Sequence, residues 1–257
     1  IDVEAMEDSY ANIYTNMVGD DDFDHADANL TVVNTETINK SKYDNLDAAT
    51  DGTVDFTLIE DSYLNLKNMG SVLSGKTVTI SDAVTIQKLG EIQTLVGGSG
   101  SITYNISDTA SILSGLTANS GSTHTDLTGA GTVTINNAAT IEQINKVKTL
   151  DNGTTPSYTT INDTAAILGA DDAATSALMT GKTIQLNTNA TATEYRQAIT
   201  NAGGNTVTGA VVETSSAALA TGTAALTNAT SVTLKVQSND KDFTPSGTSA
   251  LLANVSG

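Results

Sequence analysis

The chain has 257 residues, 39% of them hydrophobic but only 4% aromatic, with no Trp and no Cys. Eleven basic residues against 29 acidic ones leave a net charge of −18, and Arg196 is the sole arginine, which excludes nucleic acid and disfavours an anionic membrane as partners. The absence of Cys also excludes disulfide frameworks, thiolate metal sites and thiol catalysis. The core must therefore be built from Ile, Leu, Val and Ala, which suits thin regular layers. No apolar run reaches the roughly 20 residues that cross a bilayer. No signal peptide is visible, and the start at Ile1 reads as a processed or excerpted segment of a longer chain.

In chain order, Val3, Met6, Tyr10, Ile13, Tyr14 and Met17 recur at steps of three and four, predicting an amphipathic helix over Asp2–Val18 with Asp2 as N-cap. Gly19–Asp27 (GDDDFDHAD) follows as an acidic loop, so residues 1–29 form an N-terminal helix and loop. Alternating β-type runs then begin at Leu30, Val54, Thr77, Ile102, Thr132, Ser157, Thr183, Val207 and Val232, in steps of 23 to 30 residues. Between them lie helical spacings of two kinds. Longer ones cover Thr37–Leu46, Ala83–Leu95, Ala138–Leu150 and Ala190–Ile199; shorter ones cover Ser62–Asn68, Thr109–Leu113, Thr164–Leu168 and Ser215–Leu219. The longest step contains Leu116–Gly131, which reads as a loop insertion.

This pattern predicts an α/β chain. Residues 30–230 form a leucine-rich-repeat-like solenoid of about nine strand–turn–helix coils, each of about 25 residues. Residues 231–257 are then a terminal coil or the start of the next repeat. A lone strand and helix cannot bury their apolar sides, so stacked parallel strands with right-handed crossovers are expected. Whether the two coil classes share one sheet or form two stays open.

The phrases VTISDAVTIQKLGEIQTL, YNISDTASILSGL, VTINNAATIEQINKVKTL and TINDTAAILG carry a resemblance. They are similar to the tandem "DAATI…ISDTAANL" repeats of large secreted bacterial proteins of the S-layer, giant-adhesin and calcium-binding exoprotein type, and of some phage fibres. The resemblance covers about Leu30 to Leu219 and implies an extracellular scaffold. No RTX-type nonapeptide occurs, so that family's calcium site does not carry over.

Three features could carry chemistry. Gly70–Thr77 satisfies G-x-x-x-x-G-K-[ST], but a phosphate-cradling loop follows a strand and opens a helix. Here helix precedes and strand follows, and Gly181-Lys182-Thr183 recurs in an equivalent place, so the motif reads as a coil-to-coil turn. After each strand stands one of Asn34, Asp61, Asp82, Asp108, Asn137, Asp163, Asn189 and Thr214. Each fits an N-cap of the helix that follows it. Asp61, Asp82 and Asp108 fall in consecutive coils, and stacked carboxylates repel, so Asp61, Asp82, Asp108 and Asp163 are also candidate Ca²⁺ ligands. The third feature is the acidic loop, where Asp20, Asp21, Asp22, Asp24 and Asp27 lack EF-hand spacing but concentrate carboxylates. Asp171-Asp172 and Asp240/Asp242 are thinner versions of it.

No catalytic constellation is present: His25 and His124 both lie in predicted loops, and no H-x-x-x-H or G-x-S-x-G occurs. An Asp/Ca²⁺ enzyme of the pectate-lyase sort would want more basic residues. Asn105, Asn152, Asn162 and Asn228 open N-x-[ST] triplets, available to glycosylation outside a cell. The expectation is therefore a non-enzymatic structural segment of an extracellular bacterial S-layer, adhesin or filament. It would be a rigid spacer or assemble with copies of itself or neighbouring repeats. The alternatives are a module binding cell-surface glycan, on an open sheet face or the Leu116–Gly131 insertion, and a phage or viral fibre component.

Overall fold

The computed structural model of the chain describes residues 4–19, 26–213, 226 and 228–235. Its first elements are β1 (Ala5–Asp8), α1 (Tyr10–Gly19), β2 (Asn29–Val32), β3 (Thr37–Ile38), α2 (Lys40–Asp47), β4 (Val54–Asp55), β5 (Leu58–Asp61) and α3 (Tyr63–Met69). After a 3₁₀ turn over Gly70–Leu73 come β6 (Thr77–Val84), α4 (Ile86–Val96), β7 (Ser101–Asp108), α5 (Ala110–Gly115), α6 (Thr125–Thr128), β8 (Val133–Ile135) and α7 (Ile141–Leu150). The rest are β9 (Thr160–Asp163), α8 (Ala165–Leu168), α9 (Ala173–Met179), β10 (Thr183–Leu186), α10 (Ala192–Asn201), β11 (Val207–Thr208), β12 (Ala210–Glu213) and β13 (Ser231–Leu234). This is an α/β fold whose strand pairs run parallel.

The chain divides into two compact units, one of Ile1–Asp108 with Thr125–Val133, the other of Thr109–His124 with Thr134–Gly257. In the first, β2 lies between β1 and β4, while β3, β5, β6 and β7 are neighbours in that order. Register aligns Ile38, Ile59, Val78 and Ile102 as successive cross-strand partners. β-branched side chains suit this pleated surface. Ile38, Ile59 and Val78 are at most 1% exposed, and Leu46, Leu66, Leu89 and Ile92 of the helices are fully buried. Each such side chain contributes roughly 1.5–3 kcal/mol by leaving water. In the second unit β10 lies between β9 and β11, and β12 pairs with β13. Ile161, Ile184 and Val207 align there, and Leu113, Ile144, Val147, Leu168 and Tyr195 of the helices are fully buried.

Several sequence expectations are corrected. Asp2–Val18 is not one helix: Ala5–Asp8 is a strand paired with Asn29–Val32, and the helix starts at Tyr10 behind Ser9. Asp2 itself lies outside the described residues. Pairing with a distant strand outweighs the three-to-four spacing, because it satisfies backbone groups that a frayed first turn leaves open. Thr37, Ala83 and Ala190 likewise belong to strands or an isolated bridge, and their helices start two to three residues later. Within Leu116–Gly131, Thr125–Thr128 is helical, with Leu127 fully buried and the Tyr104 hydroxyl donating to the Asp126 carbonyl at 3.0 Å. The expected helix Ser215–Leu219 lies outside the described residues.

Candidate functional site

The recurring device of this molecule stands at the helix starts. The first N–H groups of a helix have no partner inside it. Local caps supply part of what is missing: Asn39, Ser62, Thr85, Thr109, Thr140, Thr164 and Thr191 each accept from the N–H three residues ahead. The N–H of the first helical residue is instead taken by a side chain from the strand or turn that comes next in the chain. Glu36 Oε2 accepts from Tyr10 at 2.7 Å, Asp61 Oδ2 from Lys40 at 2.9 Å, and Asp82 Oδ1 from Tyr63 at 2.6 Å. Asp108 Oδ2 accepts from Ile86 at 3.1 Å, Asn137 Oδ1 from Ala110 at 2.8 Å, and Asp163 Oδ2 from Ile141 at 3.0 Å. Thr188 Oγ1 accepts from Ala165 at 2.9 Å and Glu213 Oε1 from Ala192 at 2.6 Å. The partners are separated by 19 to 27 residues.

A carboxylate here meets both an unsatisfied donor and the positive end of the helix dipole. That resolves the cost of burying it: Asp108, Asp163 and Glu213 are only 3%, 5% and 8% exposed. At Asp61, burial pushes the carboxyl pKa up, but hydrogen bonds from Asn65, Lys40 and Ser62 pull it down further, leaving it below the usual value of 3.8.

Asp61, Asp82, Asp108, Asn137 and Asp163 are thus not the N-caps of the helices that follow them, as expected; each accepts the first helical N–H of an earlier helix instead. These side chains cap the helix of the preceding segment, while the hydroxyl or amide residue one to three positions later caps its own. Local spacing cannot tell these apart, because both are oxygen acceptors just before a helix. Three other members differ from expectation. Glu36 takes the place of Asn34, whose Oδ1 accepts from Thr57 Oγ1 instead. Thr188 takes the place of Asn189, and Glu213 stands where Thr214 was expected, a residue outside the described ones.

Asp61, Asp82, Asp108 and Asp163 stand at four different helix starts. Asp61 lies opposite Ile80 in the register rather than opposite Asp82. Among the described residues no group of three His, Asp or Glu side chains is placed to hold a metal ion. Asp20, Asp21, Asp22 and Asp24 lie outside the described residues, as do His25, Asp240 and Asp242. Asp172 is the N-cap of α9, accepting from the Thr175 N–H at 2.8 Å.

The Gly-Lys-Thr motifs have a packing explanation. Lys76 Nζ pairs with Asp55 and sits 5.0 Å from the Phe56 ring centroid. Lys182 Nζ lies 4.6 Å from that of Tyr158. Each ammonium covers the aromatic ring of an adjacent strand segment, an attraction of about 0.5–1 kcal/mol at exposed sites. Gly75 and Gly181 take φ of +74° and +78° to turn the chain into the strand. The Gly75 N–H donates to the Val96 carbonyl, so it does not face an open phosphate cradle.

A groove of about 780 Å³ is lined by Ser114 and by polar side chains of α7 between Thr140 and Thr149. Among the described residues no helix is long and apolar enough to cross a membrane. No protein-family model matches the chain, and no curated protein or solved structure matches it.

Proposed function

We propose that the chain is a structural repeat segment of an extracellular bacterial surface protein, of the S-layer, adhesin or filament kind. In this reading it is a solenoid of strand–turn–helix coils that serves as a rigid spacer or assembling unit and performs no catalysis. The observation that carries it is the long-range capping. Among the described residues eight helices have their first N–H completed by a residue 19 to 27 positions later, so each of these eight depends on chain that follows it. This dependence of one segment on the next supports the reading as a stacked array, in which each repeat leans on its neighbour. Its chemistry is scaffolding chemistry: the buried carboxylates of Asp108, Asp163 and Glu213 meet backbone donors, and the residues lining the groove beside α7 include no aromatic side chain. The acidic, Cys-free composition and the similarity to secreted tandem repeats support the extracellular setting. Calcium belongs to this reading as counter-ion to a net charge of −18, with Asp20–Asp24 the densest run of carboxylates.

Immunogold labelling of intact source cells with an antibody to the purified chain tests the proposal. Label on the outer face is expected. Label confined to the cytoplasm overturns it.

A further inference from the structure

We infer that the outward face of the parallel strands binds ice, through rows of hydroxyl and amide side chains held at fixed spacing. This goes beyond the structural reading above, which would stand without it.

The first argument is a recurring triplet. A polar residue, an aliphatic one and a second polar one recur as Thr77-Val78-Thr79, Ser101-Ile102-Thr103, Thr132-Val133-Thr134, Thr160-Ile161-Asn162, Thr183-Ile184-Gln185 and Thr206-Val207-Thr208. The middle residue turns inward: Val78, Ile161 and Ile184 are fully buried, and Val207 is 1% exposed. Side chains alternate along a strand, so the flanking pair stands on the opposite face, and every one of them is half-buried or exposed.

The second argument is register. In the first unit Thr77 lies opposite Ser101 and Thr79 opposite Thr103. In the second, Thr160 lies opposite Thr183, while Asn162 and Thr208 both lie opposite Gln185. Each unit therefore carries its own patch of aligned rows. Strand geometry sets the repeats at about 6.6 Å along a row of alternate residues and about 4.8 Å from strand to strand. These are close to the two repeats of the oxygen lattice on a prism face of ice.

The third argument is chemical. The chain has a net charge of −18, yet none of these flanking residues is charged. A charged group keeps its own hydration shell and has no place in the ice lattice, whereas hydroxyls and amides both donate and accept as lattice water does. Glu60, opposite Thr79 on β5, bounds the first patch. No aromatic ring stands among the flanking residues, so the face offers no stacking platform to a crystalline polysaccharide. The array is also stiff. Thr is restricted at χ1. Ser101 Oγ donates to Thr77 Oγ1 at 3.2 Å, and Asn162 Nδ2 donates to Gln185 Oε1 at 3.2 Å. The hydroxyls of Thr79, Thr103 and Thr183 make no side-chain bond among the described residues and are left to water. A surface fixed in advance loses little freedom when it meets a solid.

Partition of the full chain into slowly grown ice tests this, alongside microscopy of single ice crystals held just below freezing. The wild type is expected to be enriched in the ice relative to an inert protein of similar size, and to shape the crystals. Thr79→Lys with Thr183→Lys places one charge on each patch and should bring enrichment down to that of the inert protein. Ser111→Lys, on the exposed side of α5, should leave enrichment unchanged. Circular dichroism melting checks that each variant is folded; if the double lysine variant is not, Thr79→Ala with Thr183→Ala decides in its place. A wild type that is not enriched in ice, or enrichment indifferent to the decisive double variant, overturns the inference. Retention on microcrystalline cellulose without enrichment in ice overturns it as well. A chain found on the cell surface that ignores ice would remove this inference and leave the structural reading in place. An ice-enriched chain confined to the cytoplasm would do the reverse.

Discussion

Removing the Asp163 carboxylate is the sharpest test of the capping chemistry. Asp163 is 5% exposed and holds two backbone donors: Ile141 N–H on Oδ2 at 3.0 Å and Thr164 N–H on Oδ1 at 2.8 Å. In Asp163→Ala both lose their acceptor. Ile141 is 7% exposed, so its donor has little access to water, while the Thr164 N–H is better placed to regain it. A hydrogen bond to a charged acceptor is worth about 1.5–3 kcal/mol, and the helix dipole adds about 0.5 kcal/mol. The expected loss is about 3 kcal/mol, which for a chain of this size lowers Tm by about 6–12 °C. Asp163→Asn, keeping one acceptor, should cost about half as much. Thr164→Ala, which removes only the local cap, should cost about 1 kcal/mol. Urea unfolding followed by circular dichroism gives these values, with an unchanged slope against denaturant as the sign that only stability moved. An Asp163→Ala variant within about 0.5 kcal/mol of wild type would refute the reasoning, because a buried, doubly bonded carboxylate cannot be that dispensable.

Other outcomes follow from the same geometry. Asn137→Asp places a charge on the start of α5, where Asn137 already accepts from Ala110 at 2.8 Å, and should stabilise by about 0.5–1 kcal/mol at pH 7, measured by urea midpoint. Burial raises the Asp151 carboxyl above 3.8. A raised carboxyl binds its proton more tightly in the folded state, so stability falls as pH rises from 3.8 through the folded value. Asp151→Asn should therefore raise Tm at pH 7 but not at pH 3. Gly100→Ala should cost about 2–3 kcal/mol, since the added Cβ would lie 2.5 Å from the Lys76 carbonyl oxygen and crowd the Val96 side chain; a near-neutral melting curve would show that the backbone can move aside. Replacing Asp61, Asp82, Asp108 and Asp163 by Asn should leave any chelator-sensitive shift in Tm unchanged. Its loss would show that these oxygens hold an ion rather than N–H groups.

The strands were the most legible part of the sequence. Val78/Ile80 and Ile184/Leu186 alternate with polar residues, and their inward sides are 9% exposed or less. Helix starts were less legible. Thr85, Thr140 and Thr191 are the actual caps, but Asp82, Asn137 and Asn189 precede them with equally good oxygens, and only the strand register decides which oxygen faces which helix. β1 was missed because Met6 fits a helical stripe as well as a half-covered strand, and its partner Leu30 is 24 positions away. α9 was missed because Asp171-Asp172 was read as an acidic loop, when Asp172 opens a helix whose Leu178 and Met179 are buried. The capping set itself was half visible. Its residue types could be read from the sequence, but its direction is a fact of tertiary structure.

The order in which the bonds close also matters while the chain is being made. A helix start that waits for a residue 22 positions downstream, as Ile86 waits for Asp108, stays wetted until that stretch has emerged from the ribosome. The newest end of a nascent chain is thus always the loosest, and each new strand locks the helix before it. Folding acquires a direction from synthesis, and a prematurely terminated product carries its weak point at the break, where a protease would find it first.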